Sequence, residues 1–378
     1  MKYDYLIVGC GLYGTVWAER LANAGDKRVL IIDRRDHVGG NCHSDTDAET
    51  GIEYHTYGTH IFHCDNRAVH EYISRFAELN GYHHQVLTVH AGKVYQMPIN
   101  LETINQFFNT SMNPSDARSF MSRKLQREAV DHPANLEEQA VAFAGKELYE
   151  AFIKGYTTKQ WGVSPDQLPA EILKRLPVRY DYREDFFHRS RWQGIPVDGY
   201  TAMFDRMLDH PNIEVRLSQD FFDLPANRAG KMNVIYTGPI DRYFEYRHGP
   251  LEWRSIRLEK SVRAVGDFQG TSVMNYADTS QSFTRIHEPR HLHPERSYPD
   301  DRTVIFHEYP DFSSGADPFY PVRTALNLKR LAAYRAEASR SPGVIFGGRL
   351  GSYMYWDMDQ AVEAALADFH NHTGAYPE

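Results

Sequence analysis

The chain has 378 residues, enough to bury a large core and to divide into two or three domains. Its 42 Lys plus Arg against 50 Asp plus Glu give a net charge of −8, which argues against non-specific nucleic-acid binding and leaves any phosphate-bearing ligand to a few placed cations. Cys10, Cys42 and Cys64 lack metal-ligand spacing, no apolar run reaches ~18 residues, and the N-terminus enters a strand at once; a disulfide framework, a membrane span and an export signal are not expected, and a cytoplasmic location is. The run Tyr5-Leu6-Ile7-Val8 predicts a buried strand, Gly9-Cys10-Gly11-Leu12-Tyr13-Gly14 a tight turn, and Thr15 to Ala24 a helix. A second strand, Arg28 to Ile32, ends on Asp33. In this order Gly9 makes the turn, Gly11 admits a pyrophosphate, Gly14 lets the helix pack on the strand, and Asp33 can bond a ribose hydroxyl, so the stretch predicts a dinucleotide site.

Arg34-Arg35-Asp36-His37-Val38-Gly39-Gly40-Asn41 follows, a second glycine pair at a turn that lets backbone N–H groups approach another part of the same ligand. Together the two glycine turns resemble FAD-binding proteins of the glutathione-reductase-like class. Tyr57 to His63 is a strand-like run with His60 and His63 three apart. No carboxylate or thiol completes a tetrahedral set around them, so no metal is expected, and they are either core histidines or hydrogen-bonding groups near a flavin ring.

His84 to Met97 alternates as a hairpin around Ala91-Gly92. The pattern then turns helical over Leu101 to Asn109, Pro114 to Arg127 and Leu136 to Lys154, the last led by Asn135 with Glu137 and Glu138 in its first turn. A helix to Leu208 follows Gly199-Tyr200-Thr201, and short strands are expected at Ile213 to Leu217, Val234 to Thr237 and Val344 to Phe346, with several β segments from Leu251 to Tyr309 and a final helix from Met358 to Asp368. The predicted fold is α/β: a discontinuous Rossmann-like FAD-binding domain (1–80, 205–245 and 335–378), an inserted helical domain with a mobile lid (100–175), and a mostly antiparallel sheet domain (81–99, 176–204 and 246–334).

Five motifs, Ile153-Lys154-Gly155-Tyr156-Thr157-Thr158-Lys159-Gln160-Trp161, Leu176-Pro177-Val178-Arg179, Tyr236-Thr237-Gly238-Pro239-Ile240-Asp241, Phe283-Thr284-Arg285-Ile286-His287-Glu288 and Phe346-Gly347-Gly348-Arg349-Leu350, closely resemble bacterial UDP-galactopyranose mutases. The resemblance covers nearly the whole chain in order. It implies a homodimeric flavoenzyme of galactofuranose synthesis for cell-wall or other polysaccharide, interconverting UDP-galactopyranose and UDP-galactofuranose without net redox change. Reduced FAD would attack the anomeric carbon through N5, UDP would leave, and the opened sugar would reclose through O4. NAD(P)H or another reductant would activate the flavin.

By the same resemblance, Arg175 and Arg285 are the diphosphate arginines and, with His60 and His63, the catalytic set. Each charge-assisted phosphate contact is worth roughly 1.5–3 kcal/mol. Phe152, Tyr156, Trp161, Phe186, Arg254, Glu308, Tyr320, Tyr355 and Asp357 complete the substrate set. The cofactor set is Gly9, Gly11, Tyr13, Gly14, Asp33, Arg34, Gly40, Asn41, His60, Ile61, Gly348, Arg349, Asp357 and Met358. Residues 168–179, flanked by Pro169 and Pro177, would be the lid that carries Arg175 inward. Three departures from the family pattern matter, of which the first two bear on the substrate. Phe186 stands where a phosphate-contacting tyrosine is usual, in a segment one residue longer before Trp192; Thr59 stands where alanine or proline is usual; Asp33 replaces the commoner glutamate. UDP-N-acetylgalactosamine or a deoxysugar nucleotide therefore stays open as the substrate, as does a redox enzyme of the amine-oxidase type.

Overall fold

The computed structural model describes residues 2–127, 132–173, 178–187, 189–225, 232–312 and 317–374. Five short strands form a parallel sheet in the order Val344–Phe346, Asn233–Tyr236, Tyr5–Val8, Val29–Ile32 and Ile213–Arg216. Parallel strands covered on both faces read as unbroken apolar runs, and the central strands Tyr5–Val8 and Val29–Ile32 do, whereas the edge strand Ile213–Arg216 carries Glu214 and Arg216. Ile7, Ile31 and Ile235 point to one core, Leu6, Leu30 and Val234 to the other. The first core is closed by the helices Leu12–Gly25 and Met358–Thr373, which meet through the edge-on pair Trp17 and Phe369 at 5.7 Å between ring centroids.

A second sheet has seven strands in the order Tyr320–Pro321, Trp253–Arg263, Thr303–Asp311, Arg285–His287, Val273–Tyr276, Val86–His90 and Lys93–Met97. Every pairing is antiparallel except that of Val273–Tyr276 with Val86–His90. The hairpin at its edge buries Val86, Tyr95 and Met97 against the helices Leu101–Phe108, Pro114–Arg127 and Leu136–Ala144. Asn135 caps the last of these, accepting from the Glu138 N–H at 2.9 Å.

The structure departs from the sequence expectations at three places that shape the cleft. Leu136 to Lys154 is not one helix: Gly145, at φ 82°, stops Leu136–Ala144, and the chain passes through a π-helical turn, Tyr149–Lys154, into Gly155–Trp161. Gly155 packs so tightly that a Cβ there would overlap the Ala277 carbonyl oxygen, and Lys159 Nζ donates to the carbonyls of Tyr276, Asp278 and Phe283 at 2.7, 2.9 and 2.9 Å, docking the Tyr156 helix on the second sheet. The strand expected over 57–63 covers only Phe62–Cys64, leaving Thr59, His60 and Ile61 in an irregular loop. It pairs with Trp192–Gly194, so Ile195, Tyr200 and Met203, assigned from sequence to the sheet domain, pack instead in the first core.

Cys10, Cys42 and Cys64 are free and buried. No helix among the described residues is long and apolar enough to cross a membrane.

Candidate active site

One cleft of about 1390 Å³ runs between the carboxyl ends of the parallel strands and the face of the second sheet, where ligands of open α/β sheets bind. Its nucleotide side is built by close backbone approach. A Cβ on Gly14 would overlap the Gly9 carbonyl oxygen, so glycine is required for the helix to leave the strand, while a Cβ on Gly40 would sit 2.9 Å from Gly11 Cα. The amino ends of Leu12–Gly25 and Met358–Thr373 both open on the cleft, placing positive dipole ends there. Asp357 caps the second helix through a box with Gln360, and Asp357 and Met358 both line the cleft.

The expected cofactor residues Gly9, Gly11, Tyr13, Gly14, Asp33, Arg34, Gly40, Asn41, His60, Ile61, Gly348 and Arg349 all border this cleft. Their side chains are partly committed within the protein. Asp33 accepts from the backbone N–H of Cys10 at 2.7 Å and of Arg35 at 2.9 Å, which fixes the carboxylate at the strand end. Tyr13 gives its hydroxyl proton to Asp368 at 2.6 Å, so it offers the cleft its ring. Arg34 and Arg35 both reach Asp317, and Arg35 lies 4.0 Å over the Tyr57 ring. Arg349 donates to the Phe319 carbonyl and lies 5.1 Å over Tyr355; its Nε is buried with no hydrogen-bond partner, and among the described residues no carboxylate pairs with it.

The opposite wall is polar. Arg285 Nη2 donates to Tyr156 Oη, and its Nε lies 3.1 Å from Glu308 Oε1, close enough for an ion pair but not aligned for a hydrogen bond. Burial alone would raise the Glu308 carboxyl, but Arg285 beside it and hydrogen bonds from His287 and Thr284 hold it down at about 2. Burial disfavours the Arg285 charge, and Glu308 more than restores it. Tyr320 and Tyr355 sit 5.5 Å apart between ring centroids beside this pair, and Phe152 and Phe186 also line the cleft.

Two expected substrate residues do not reach the cleft. Arg254 Nε donates to the Trp161 carbonyl at 3.3 Å, and its guanidinium lies 5.3 Å over Phe312; Trp161 packs on the helical core. Arg254 is the strand partner of Tyr320, and its guanidinium is taken up by the Trp161 carbonyl and the Phe312 ring. Arg175, Leu176 and Pro177, in the expected lid, lie outside the described residues. His60 and His63 both line the cleft. His60 Nδ1 is 2.7 Å from the Gly58 carbonyl, so it carries the proton and Nε2 is left as an acceptor. His63 stacks on Phe187 at 3.8 Å, with Nδ1 3.2 Å from Ser190 Oγ. His84, Phe187 and Gln160 line the cleft without having been singled out from sequence. Only the alternation of the hairpin pointed at His84, and that pattern marks a face, not a site.

Burial lowers His60 from 6.5 to about 4 and His84 to about 3, and it lowers His55, whose Nδ1 accepts from the His60 N–H at 2.9 Å, well below its usual value. The unfolded chain protonates such rings near pH 6.5 while the folded chain keeps them neutral, so the unfolded state binds more protons as pH falls from about 6.5 towards 4. Stability is therefore expected to decline across that window, before most carboxylates titrate, as read from urea midpoints between pH 7.5 and 4.5. His84→Phe should flatten the slope; an unchanged slope would mean that the ring is not held neutral.

The fold and cleft define a dinucleotide-binding protein of flavoprotein type, with a tyrosine-rich wall that carries the Arg285 and Glu308 ion pair facing the nucleotide turns. A family model described as UDP-galactopyranose mutase matches residues 151–355, and one described as an NAD(P)-binding Rossmann-like domain matches residues 7–76. A probable UDP-galactopyranose mutase of Klebsiella pneumoniae is 43% identical over 96% of this chain and 93% of its own. The dTDP-fucopyranose mutase of Escherichia coli is 37% identical over 96% of each chain, and the UDP-galactopyranose mutase of Mycoplasma pneumoniae 32% identical over 97% and 95%. Among solved structures, a reduced UDP-galactopyranose mutase superposes with a TM-score of 0.79 at 15% identity, over 99% of this chain and 95% of that one. The chain belongs to the UDP-galactopyranose mutase family.

Proposed function

We propose that this protein binds FAD and, with the flavin reduced, interconverts UDP-galactopyranose and UDP-galactofuranose with no net redox change. The observation that carries the reading is the continuity of one cleft from the two glycine turns to the Arg285, Tyr156 and Tyr320 wall. The residues fit the cofactor: Gly11 and Gly40 leave a cradle that side chains would fill, a helix amino end faces it, and the buried, unpartnered Arg349 Nε suits an acceptor atom of the flavin ring. When bound and reduced, FAD supplies a nucleophilic nitrogen, N5, for the anomeric carbon.

The protein's own groups do the rest. Arg285 and, by the resemblance, Arg175 hold the diphosphate and stabilise the charge that grows on it as the glycosidic bond breaks. Tyr156, Tyr320 and Tyr355 add hydroxyl donors, and Glu308 keeps Arg285 ionised and in place. His60, neutral at pH 7, offers Nε2 as an acceptor without adding charge to the cleft. NAD(P)H or another reductant would be needed only to bring the flavin to its active state.

A second reading within the same class is supported by two observations, the 37% identity to a dTDP-fucopyranose mutase and the phenyl ring of Phe186. Both readings predict a yellow protein that retains FAD non-covalently, is inactive when oxidised, and after dithionite reduction isomerises a sugar nucleotide without consuming reductant in proportion. Assay of UDP-galactose, UDP-N-acetylgalactosamine and dTDP-fucopyranose with the reduced enzyme decides between them. One reductant spent per product would overturn both and return a redox enzyme of the amine-oxidase type.

A further inference from the structure

Thr59 lies in the loop between the strands Glu53–His55 and Phe62–Cys64, where it meets His287 of the second sheet. Its Oγ1 is 2.7 Å from His287 Nδ1, and His287 Nε2 is 3.0 Å from Glu308 Oε2. His287 and Glu308 are only 3% and 2% exposed, so water does not complete this chain. Glu308 is ionised and can only accept, which places the ring proton of His287 on Nε2. Arg285 already pairs with Glu308, whose Oε2 takes the Nε2 proton, so the ring meets Thr59 with Nδ1 as its accepting nitrogen. Nδ1 is then a lone pair, and the Thr59 hydroxyl proton is spent on it.

The consequence falls on the cleft side. Thr59 lines the cleft and has no further hydrogen-bond partner among the described residues. With its proton turned inward, Oγ1 faces the ligand with lone pairs alone, an acceptor whose rotor is locked by two buried groups. A diphosphate has no proton to give it. The relay Thr59, His287, Glu308, Arg285, Tyr156 sets this oxygen next but two to the guanidinium that would hold the diphosphate, which makes the sugar attached to that diphosphate its neighbour.

We infer that Thr59, locked by His287 and Glu308, is a specificity-determining residue that accepts a hydrogen bond from a hydroxyl of the sugar in the bound sugar nucleotide. This rests on the reading of the cleft as a sugar-nucleotide site. It selects for sugars that carry a hydroxyl at the contacted carbon and against those that carry hydrogen there, since the buried acceptor is then left unpaired.

The test compares wild-type holoenzyme with Thr59→Val, which keeps the shape and removes the oxygen, and Thr59→Ser, which restores it. Dissociation constants are measured for UDP and for UDP-galactose, together with FAD content and flavin potential. Thr59→Val should weaken UDP-galactose roughly threefold to tenfold, the worth of one hydrogen bond, with UDP affinity, FAD content and potential unmoved, and Thr59→Ser should recover most of the loss. Repeating the pair with 2-deoxy, 3-deoxy and 6-deoxy sugar nucleotides should abolish the difference for one analogue, which identifies the hydroxyl. Equal losses for UDP and UDP-galactose, a shift in flavin potential in place of sugar affinity, or additive effects with every analogue would overturn the inference. Wild-type enzyme that binds UDP but no sugar nucleotide in the panel would overturn the functional reading itself, a result separable from any effect of the variants.

Discussion

Arg285→Ala is expected to lower kcat/KM for the sugar nucleotide by at least ~100-fold, because roughly 3 kcal/mol of charge-assisted phosphate contact corresponds to that factor. The structure adds a second effect that must be separated from the first. Glu308 is buried against Arg285, and removing the guanidinium strands a carboxylate in the core, a change that costs about 3–5 kcal/mol of stability in comparable pairs. Loss of activity in the single variant could therefore report a loosened fold. The double variant Arg285→Ala/Glu308→Ala removes both charges and should regain much of the lost Tm while activity stays absent and FAD stays bound. Arg285→Lys keeps a charge but not the planar fork, and should fall between wild type and alanine. Turnover of Arg285→Ala within tenfold of wild type would assign the diphosphate to other cations. Restored activity in the double variant would mean that Arg285 served only to neutralise Glu308.

That pair also marks where reading the sequence stops. Tyr5 to Asp33 was legible because its information is local: four apolar residues, three glycines at fixed offsets and a terminal acid are all constraints within one strand, helix and strand unit. The five-stranded sheet followed from similarly short runs. Arg285, Glu308 and Tyr320 were placed in one pocket by resemblance, yet nothing in their spacing shows that Glu308 lies across from Arg285 in strand register, or that Thr59 closes the chain from 228 residues away. Long-range pairing of polar groups leaves no periodic trace. The break at Gly145 was hidden for a different reason: the π-helical turn after it keeps apolar residues on one side, so the pattern of a single helix continues through a segment that is not one. Arg254 and Trp161 mark another limit: resemblance placed both with the substrate, whereas Arg254 donates to the Trp161 carbonyl and neither side chain lines the cleft.

The glycines of the first turn make a sharper test, because the structure gives them different duties. Gly14 meets the Gly9 carbonyl, so Gly14→Ala must push the helix off the strand and is expected to cost about 1–3 kcal/mol of stability, with FAD lost alongside. Gly11 has an ordinary extended backbone, φ −85° and ψ −177°, and a Cβ there would come no nearer to its neighbours than 3.9 Å, to Gly40 Cα. Gly11→Val should therefore fold, losing only about 1 kcal/mol because valine is a poorer helix N-cap than glycine. The branched side chain nevertheless stands in front of the helix amino end, where the pyrophosphate of a dinucleotide must approach the backbone N–H groups. FAD affinity is expected to fall by at least ~100-fold, the equivalent of about 2.7 kcal/mol. Purified Gly11→Val should be colourless and well folded by circular dichroism, whereas Gly14→Ala should be colourless with a lowered Tm. A yellow Gly11→Val with wild-type flavin content would place the pyrophosphate away from this turn, and the assignment of the cleft's nucleotide side would fall with it.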